Sequence, residues 1–159
     1  MTQLHGPPVS LKIAPRRAIA AVRARLPIRR VPAVFAEYLN QVYAAARDGA
    51  IHLDGQNIFV YRDVMGAKDE ADIEFGVGVN APFSATGAVC YSELPVGEVA
   101  TATHWGDYAG LGEAHHAVLA WCRAHDRKVV GTRWEVYGHW TDDPAQLRTD
   151  VYYLLQPSR

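Results

Sequence analysis

YAGLGEAHHAVLAWCRAHDRKVVGTRWEVY, residues 108–137, holds a helix and a strand in sequence. From Tyr108 to His125, Leu111, Ala114, Val118, Trp121 and Cys122 fall on one stripe, with Glu113, His116, Arg123 and Asp126 off it. That spacing predicts an amphipathic helix. From Gly131 to Trp140 the pattern changes to alternation: Arg133, Glu135, Tyr137 and His139 point one way, Trp134, Val136 and Gly138 the other, as in a strand. A shift of 76 places lays an earlier stretch on this one, Glu37 on Glu113, Val42 on Val118, Gly55 on Gly131, Val60 on Val136 and Tyr61 on Tyr137. In that earlier copy Val31, Val34, Phe35, Tyr38, Leu39, Val42 and Ala46 recur at helical steps between Val31 and Arg47; Pro32 suits the first turn and Gly49 the stop.

Working outward, a shift of 80 sets Pro15 and Ile19 on Pro95 and Val99, and a shift of 78 sets Asp72 and Ile73 on Asp150 and Val151. The order strand, helix, strand, strand therefore occurs twice, in repeats of about 11–79 and 95–155. The expected strands are Leu11 to Arg25 with a break inside, Asn57 to Asp63, Asp72 to Val79, Gly97 to His104, Gly131 to Trp140 and Asp150 to Leu155, all rich in Val, Ile, Tyr, Phe and Thr. Two helices beside six or more strands do not fit a doubly wound parallel sheet. They fit an α+β fold with an antiparallel sheet, and the duplication makes it a pseudo-two-fold domain with a groove between its halves.

The 159 residues suit a single domain spanning 1–159, and 49% hydrophobic with 21% charged residues supplies a sizeable core. Sixteen Lys and Arg against seventeen Asp and Glu leave a net charge of −1, so no global field draws polyanions. The basic N-terminal third, Arg16 to Arg30, reads as solvated surface. Two cysteines, Cys90 and Cys122, make no disulfide framework and point to a reducing compartment. No apolar run suits a signal peptide or a membrane span. A cytoplasmic protein with no membrane partner is expected. His115 and His116 are about 100° apart on a helix and cannot readily chelate one ion, and no H-E-x-x-H pair occurs. No metal is expected. Neither a phosphate-binding glycine loop nor G-x-S-x-G is visible, and no cofactor is implied.

The stretch HWGDYAGLGEAHHAVLAWCRAH and the following GTRWEVYGHWTDDPAQLRTDVYYLL resemble the second half of the GyrI-like family, also called the effector-binding domain of AraC-type transcription activators. That family's pattern is a G-x-Y turn, an amphipathic helix ending near Trp, a Gly opening a strand, E-x-Y within it, a D-P turn and a closing T-E/D-x-Y strand. Gly106, Tyr108, Trp121, Gly131, Glu135, Tyr137, Asp143, Pro144, Thr149 and Asp150 take those places. The resemblance implies a curved sheet with two long helices on one face and a ligand groove on the other, and a small ligand, often lipophilic and cationic, met by a carboxylate among aromatic rings. The first half departs from the pattern, with Phe59 where the second has Glu135.

Glu135 shares a strand face with Tyr137, and a carboxylate among aromatic faces attracts a cation. The plainer alternative is an exposed Glu, or one paired with Arg133. Tyr108 and Trp105 would close one end of the groove, unless Trp105 is a core aromatic capping the helix. The shift of 76 puts Phe59 and Tyr61 on the opposite wall. In DIEFGVGV, Glu74, Gly76 and Gly78 share a face, and two glycines there leave room for a ligand, or mark a bulge or crowded crossing; Glu74 alone is more often solvated.

The resemblance implies three functions. The first is a stand-alone sensor or sequestering protein for a lipophilic, cationic small molecule. The second is a hydrolase of cyclopropane-containing genotoxins with Glu135 as base, assisted by Tyr61, Tyr108 or Tyr137. The third is an inhibitor of a protein such as DNA gyrase. Both helices are used by the duplicated fold, which leaves no helix-turn-helix, so no direct DNA binding is expected.

Overall fold

A computed structural model describes residues 6–62, 64 and 69–157. The chain runs β1 (Val9–Ala14), β2 (Ala18–Pro27), α1 (Val31–Ala45), β3 (Leu53–Arg62), β4 (Glu70–Val79), β5 (Val89–Glu93), β6 (Gly97–Trp105), α2 (Leu111–Ala124), β7 (Val129–Tyr137) and β8 (Arg148–Leu155). Short 3-10 turns at Ile28–Arg30 and Tyr108–Gly110 lead into the two helices. The expected strands are present, with the break in the first falling at residues 15–17; β7 stops at Tyr137, short of the expected Trp140, and Asp63, the expected end of β3, lies outside the described residues. Strand β5 was not foreseen; CYSE breaks the alternation of β-branched residues that marks the others.

All eight strands form one antiparallel sheet in the order β1-β6-β8-β7-β3-β4-β2-β5. Read from either end the order is the same under exchange of β1 with β5, β2 with β6, β3 with β7 and β4 with β8. This is the duplicated α+β fold. Each half's leading strand lies in the other half: β1 pairs with β6, and β5 with β2.

The pairing registers fix which residues correspond. Ile19 faces Gly78 and Val99 faces Leu154, while Phe59 faces Phe75 and Glu135 faces Val151. With Phe59 set on Glu135, β4 maps onto β8 at an offset of 76, and β2 onto β6 at 80. The helices also correspond at 80, since the 3-10 turns begin at 28 and 108 and the helices at 31 and 111. Two expectations are thereby corrected. Val42 corresponds to buried Cys122, not Val118, and Asp72 corresponds to Arg148, not Asp150. The first error is four residues, close to one helical turn; the second is two, one strand period. Neither disturbs the apolar pattern from which a sequence alignment works. The offset falls from 80 to 76 because the first half carries four more residues between helix and strand, where a 3-10 turn, Ala46–Asp48, ends on Gly49 at φ 85°.

Glycine is required at one symmetric pair of places. Gly55 and Gly131, 76 apart, have φ of 83° and 90° and sit where the registers of β3 and β7 shift, as in a β-bulge.

Helix α1 buries Val31, Leu39 and Val42 against β2 and β4, and α2 buries Ala114, Val118 and Cys122 against β6 and β8. The helices thus cover the outer strands and leave the central pair, β3 and β7, open between them. The opposite face carries no helix among the described residues. There Ile19, Ala21, Ile58, Val60, Leu94, Val99, Trp134 and Val136 form a separate buried cluster beneath the curved sheet. The principal cavity is therefore on the helix-bearing face, not on the other one as the sequence reading had it. No helix among the described residues is long and apolar enough to cross a membrane.

Candidate functional site

A cavity of about 730 Å³ lies between α1 and the N-terminal half of α2, with β3 and β7 as its floor. Its lining is arranged in corresponding pairs: Ile28 and Tyr108, Val31 and Leu111, Phe35 and His115 from the helices and the turns before them, and Asn57 and Arg133, Phe59 and Glu135, Tyr61 and Tyr137 from the strands. Phe59 and Glu135 correspond to each other and also face each other directly across the β3–β7 ladder. The pseudo-two-fold axis therefore passes between them. The first half contributes mainly apolar groups, while the second contributes the carboxylate, the imidazole and the guanidinium.

Glu135 is only 5% exposed and ends in a cage of donors. Tyr61 and Tyr137, related by the pseudo-two-fold, both donate their hydroxyls to Oε1, at 3.0 and 2.7 Å. His115 Nε2 lies 2.7 Å from Oε2, and its Nδ1 lies 2.7 Å from the Tyr153 hydroxyl, which in turn accepts from Arg133 Nη1 at 3.3 Å. In the neutral imidazole, the Tyr153 proton goes to Nδ1 and the ring proton sits on Nε2, facing the carboxylate. Burial alone pushes the Glu135 carboxyl up, but the His115 hydrogen bond and charge, joined by the Tyr137 and Tyr61 hydroxyls, hold it below the usual carboxylate value. Burial first, then the neighbouring negative charge of Glu135, pushes the hydroxyls of Tyr61 and Tyr137 well above the ordinary tyrosine value. They are donors throughout the physiological range.

Aromatic rings form a continuous run from beneath α1 onto the floor. Tyr38 stacks on Phe75 at 4.8 Å, Phe75 meets Phe59 edge-on at 5.2 Å, Phe59 meets Tyr137 at 4.9 Å and Tyr137 meets Tyr108 at 5.7 Å. Phe35 reaches down from α1 to Phe59, with centroids 5.8 Å apart. The carboxylate lies beside this run, which is the arrangement that holds an apolar body carrying positive charge.

Of the residues singled out by sequence, the structure brings together Glu135, Tyr137, Tyr108, Phe59 and Tyr61. It does not bring in four others. Trp105 is 58% exposed at the end of β6, under the Arg148 guanidinium, and lines a separate, smaller depression on the helix-free side. Glu74, Gly76 and Gly78 do share a strand face, but it is the helix-free one. Glu74 is buried there in a bidentate pair with Arg62 at 3.1 Å and accepts from Ser92, and Gly76 makes room for Ile19 and Ala21 of the adjacent strand. The glycines accommodate strand packing, the alternative their spacing had left open. Arg133 is not the partner of Glu135 either; its guanidinium lies over the rings of Tyr61 and Tyr153, at 5.1 and 5.7 Å.

Sequence reasoning missed His115. Its signal was its place between Leu111 and Val118 on the inward side of α2, four residues after one and three before the other. It also missed the α1 wall, Phe35, Leu39 and Tyr43, because the groove was placed on the wrong side of the sheet. Among the described residues no group of three or more His, Cys, Asp or Glu side chains is placed to hold a metal ion.

Fold and cavity together define a small-molecule-binding domain of two fused, interlocked halves. The chain belongs to the family described as the GyrI-like small molecule binding domain, whose model matches residues 7–156. A comparison with curated protein sequences gives no match. Among solved structures, the EcmrR C-terminal domain is similar at a TM-score of 0.74 and 20% identity, over 96% of this chain and 99% of that one. The structure of SAV2435 bound to tetraphenylphosphonium is similar at 0.66 and 8% identity, over 94% of each chain. A hydrolase from Listeria innocua is similar at 0.62 and 11% identity, over 96% of this chain and 93% of that one. At these identities the likeness establishes the shared fold.

Proposed function

We propose that this protein binds a lipophilic organic cation in the cavity between α1 and α2, and acts as a cytoplasmic sensor or sequestering protein for it. The observation that carries the proposal is Glu135, a buried carboxylate beside the pseudo-two-fold axis, kept ionised by three donors and flanked by aromatic rings. In so enclosed a place one charge acts through a lower dielectric than water and selects strongly by sign. The fold is shared with a protein whose structure contains tetraphenylphosphonium, a cation of this description.

The same carboxylate favours binding over turnover. A general base works best with a value raised toward neutrality, whereas the donors around Glu135 hold it low and already occupy both oxygens. Calorimetric titration with tetraphenylphosphonium and tetraphenylborate, which share a shape and differ in the sign of their charge, tests the reading. The cation should bind about tenfold more tightly, a difference within the 1 to 2 kcal/mol typical of a partly desolvated cation contact. Equal affinities, or a preference for the borate, would show that charge recognition is not the cavity's basis of selection.

A further inference from the structure

Arg133 is a second charge in the cavity, and cation binding makes no use of it. It sits two residues before Glu135 on the same face of β7, opposite Tyr61 in the register. Its guanidinium is held between two rings, 5.1 Å from the centre of Tyr61 and 5.7 Å from that of Tyr153. Among the described residues it has no carboxylate within ion-pair distance, whereas Arg62 and Arg148, on the other face, are paired with Glu74 and Asp150. Its one hydrogen bond, from Nη1 to the Tyr153 hydroxyl, is long at 3.3 Å, and Nε is shielded from solvent with no partner. A guanidinium offers five N–H donors in a rigid fork, and two flanking rings fix the plane in which that fork opens. Its counterpart in the first half, Asn57, carries no charge and accepts from Tyr43 at 2.6 Å. The charged side chains of the cavity, Glu135 and Arg133, therefore both come from the second half.

We infer that the ligand is bipolar: a lipophilic cation that also carries an anionic acceptor such as a carboxylate, with the cationic centre beside Glu135 and the acceptor on Arg133. This rests on the cationic reading above and adds a second charge to it. Alternate residues of a strand stand about 7 Å apart, which sets the scale of the separation between the ligand's two charges. A ligand with only a positive charge would leave Arg133 unpaired and facing a like charge. A carboxylate turns that repulsion into a charge-assisted, bidentate contact.

The test uses (4-carboxybutyl)triphenylphosphonium and its methyl ester, titrated into the whole protein by calorimetry at neutral pH. The wild type should bind the acid about tenfold more tightly than the ester, the scale of a charge-assisted hydrogen bond. In Arg133→Met, and independently in Arg133→Gln, the two compounds should bind with equal affinity. If the wild type binds the ester as tightly as the acid, or if both variants keep the acid preference, the bipolar ligand is refuted. Should ester binding still fall on Glu135→Gln in that case, the cationic reading survives. Failure of both compounds to bind the wild type would overturn the two together.

Discussion

Removing the Tyr61 hydroxyl, and separately that of Tyr137, probes the cage around Glu135 without changing the shape of the cavity. Each hydroxyl donates to the same oxygen of a buried carboxylate, at 3.0 and 2.7 Å. A hydrogen bond to a charged group contributes about 1.5 to 3 kcal/mol, so Tyr61→Phe and Tyr137→Phe should each lower unfolding stability by that amount near neutral pH. The double variant strips Oε1 of both donors and leaves a buried charge undersatisfied. Its loss should exceed the sum of the two by about 1 kcal/mol, a coupling of the size seen between groups in one network. Urea denaturation with unchanged slopes is the assay. The pH dependence adds a second condition. Glu135 has a depressed value in the folded state, so its contribution is present above the unfolded value and is lost as pH falls through the folded one. The cost of each Tyr→Phe change should therefore shrink once the medium is acidic enough to protonate Glu135. Costs below about 0.5 kcal/mol, or costs that do not change with pH, would refute the claim that these hydroxyls hold an ionised carboxylate.

Two further outcomes separate the cavity from its surroundings. Tyr108→Ala should weaken binding of a triphenylphosphonium by about 1 kcal/mol, the worth of one aromatic contact, while Trp105→Ala should leave the affinity unchanged, because Trp105 lies outside the cavity; calorimetry on both variants decides this. Arg62→Met should cost about 3 kcal/mol in a thermal or urea unfolding experiment, because it strands the buried Glu74 carboxylate on the helix-free face, yet it should not alter ligand affinity in folded protein.

Most of the fold was legible because its units are periodic. The stripe on α2 and the alternation on β7 reflect burial on one side, and each occurs twice. What those periods could not supply is register. A slip of four along a helix or two along a strand leaves every apolar residue on its own face, so the sequence pattern matches Val42 to Val118 and Asp72 to Asp150, where the helix starts set Val42 on Cys122 and the strand pairings set Asp72 on Arg148. The side of the sheet that carries the cavity is a three-dimensional fact of the same kind. Alternation places Glu135 with Tyr137 and Glu74 with Gly76, but not which face lies under the helices. The helices settle it by packing on β2, β4, β6 and β8, which leaves β3 and β7 as an open floor. Glu135, Tyr137, Phe59 and Tyr61 were within reach because an E-x-Y strand and a shift of 76 depend only on β3 and β7, where that offset holds. His115 was weighed as a metal ligand, and its pairing with Glu135 joins a helix to a strand 20 positions away, beyond any local pattern.

The central claim is that a lipophilic cation lies between the helices with its charge beside Glu135. Tetraphenylarsonium keeps the shape and charge of tetraphenylphosphonium and carries an anomalous scatterer at its cationic centre. A crystal of the complex, with data collected at the arsenic edge, locates that centre independently of any fitted density. The peak should fall between α1 and α2, over Phe59 and Glu135 and within reach of the Tyr61, Tyr137 and Tyr108 rings. A peak on the helix-free face, or outside this cavity altogether, would contradict the account.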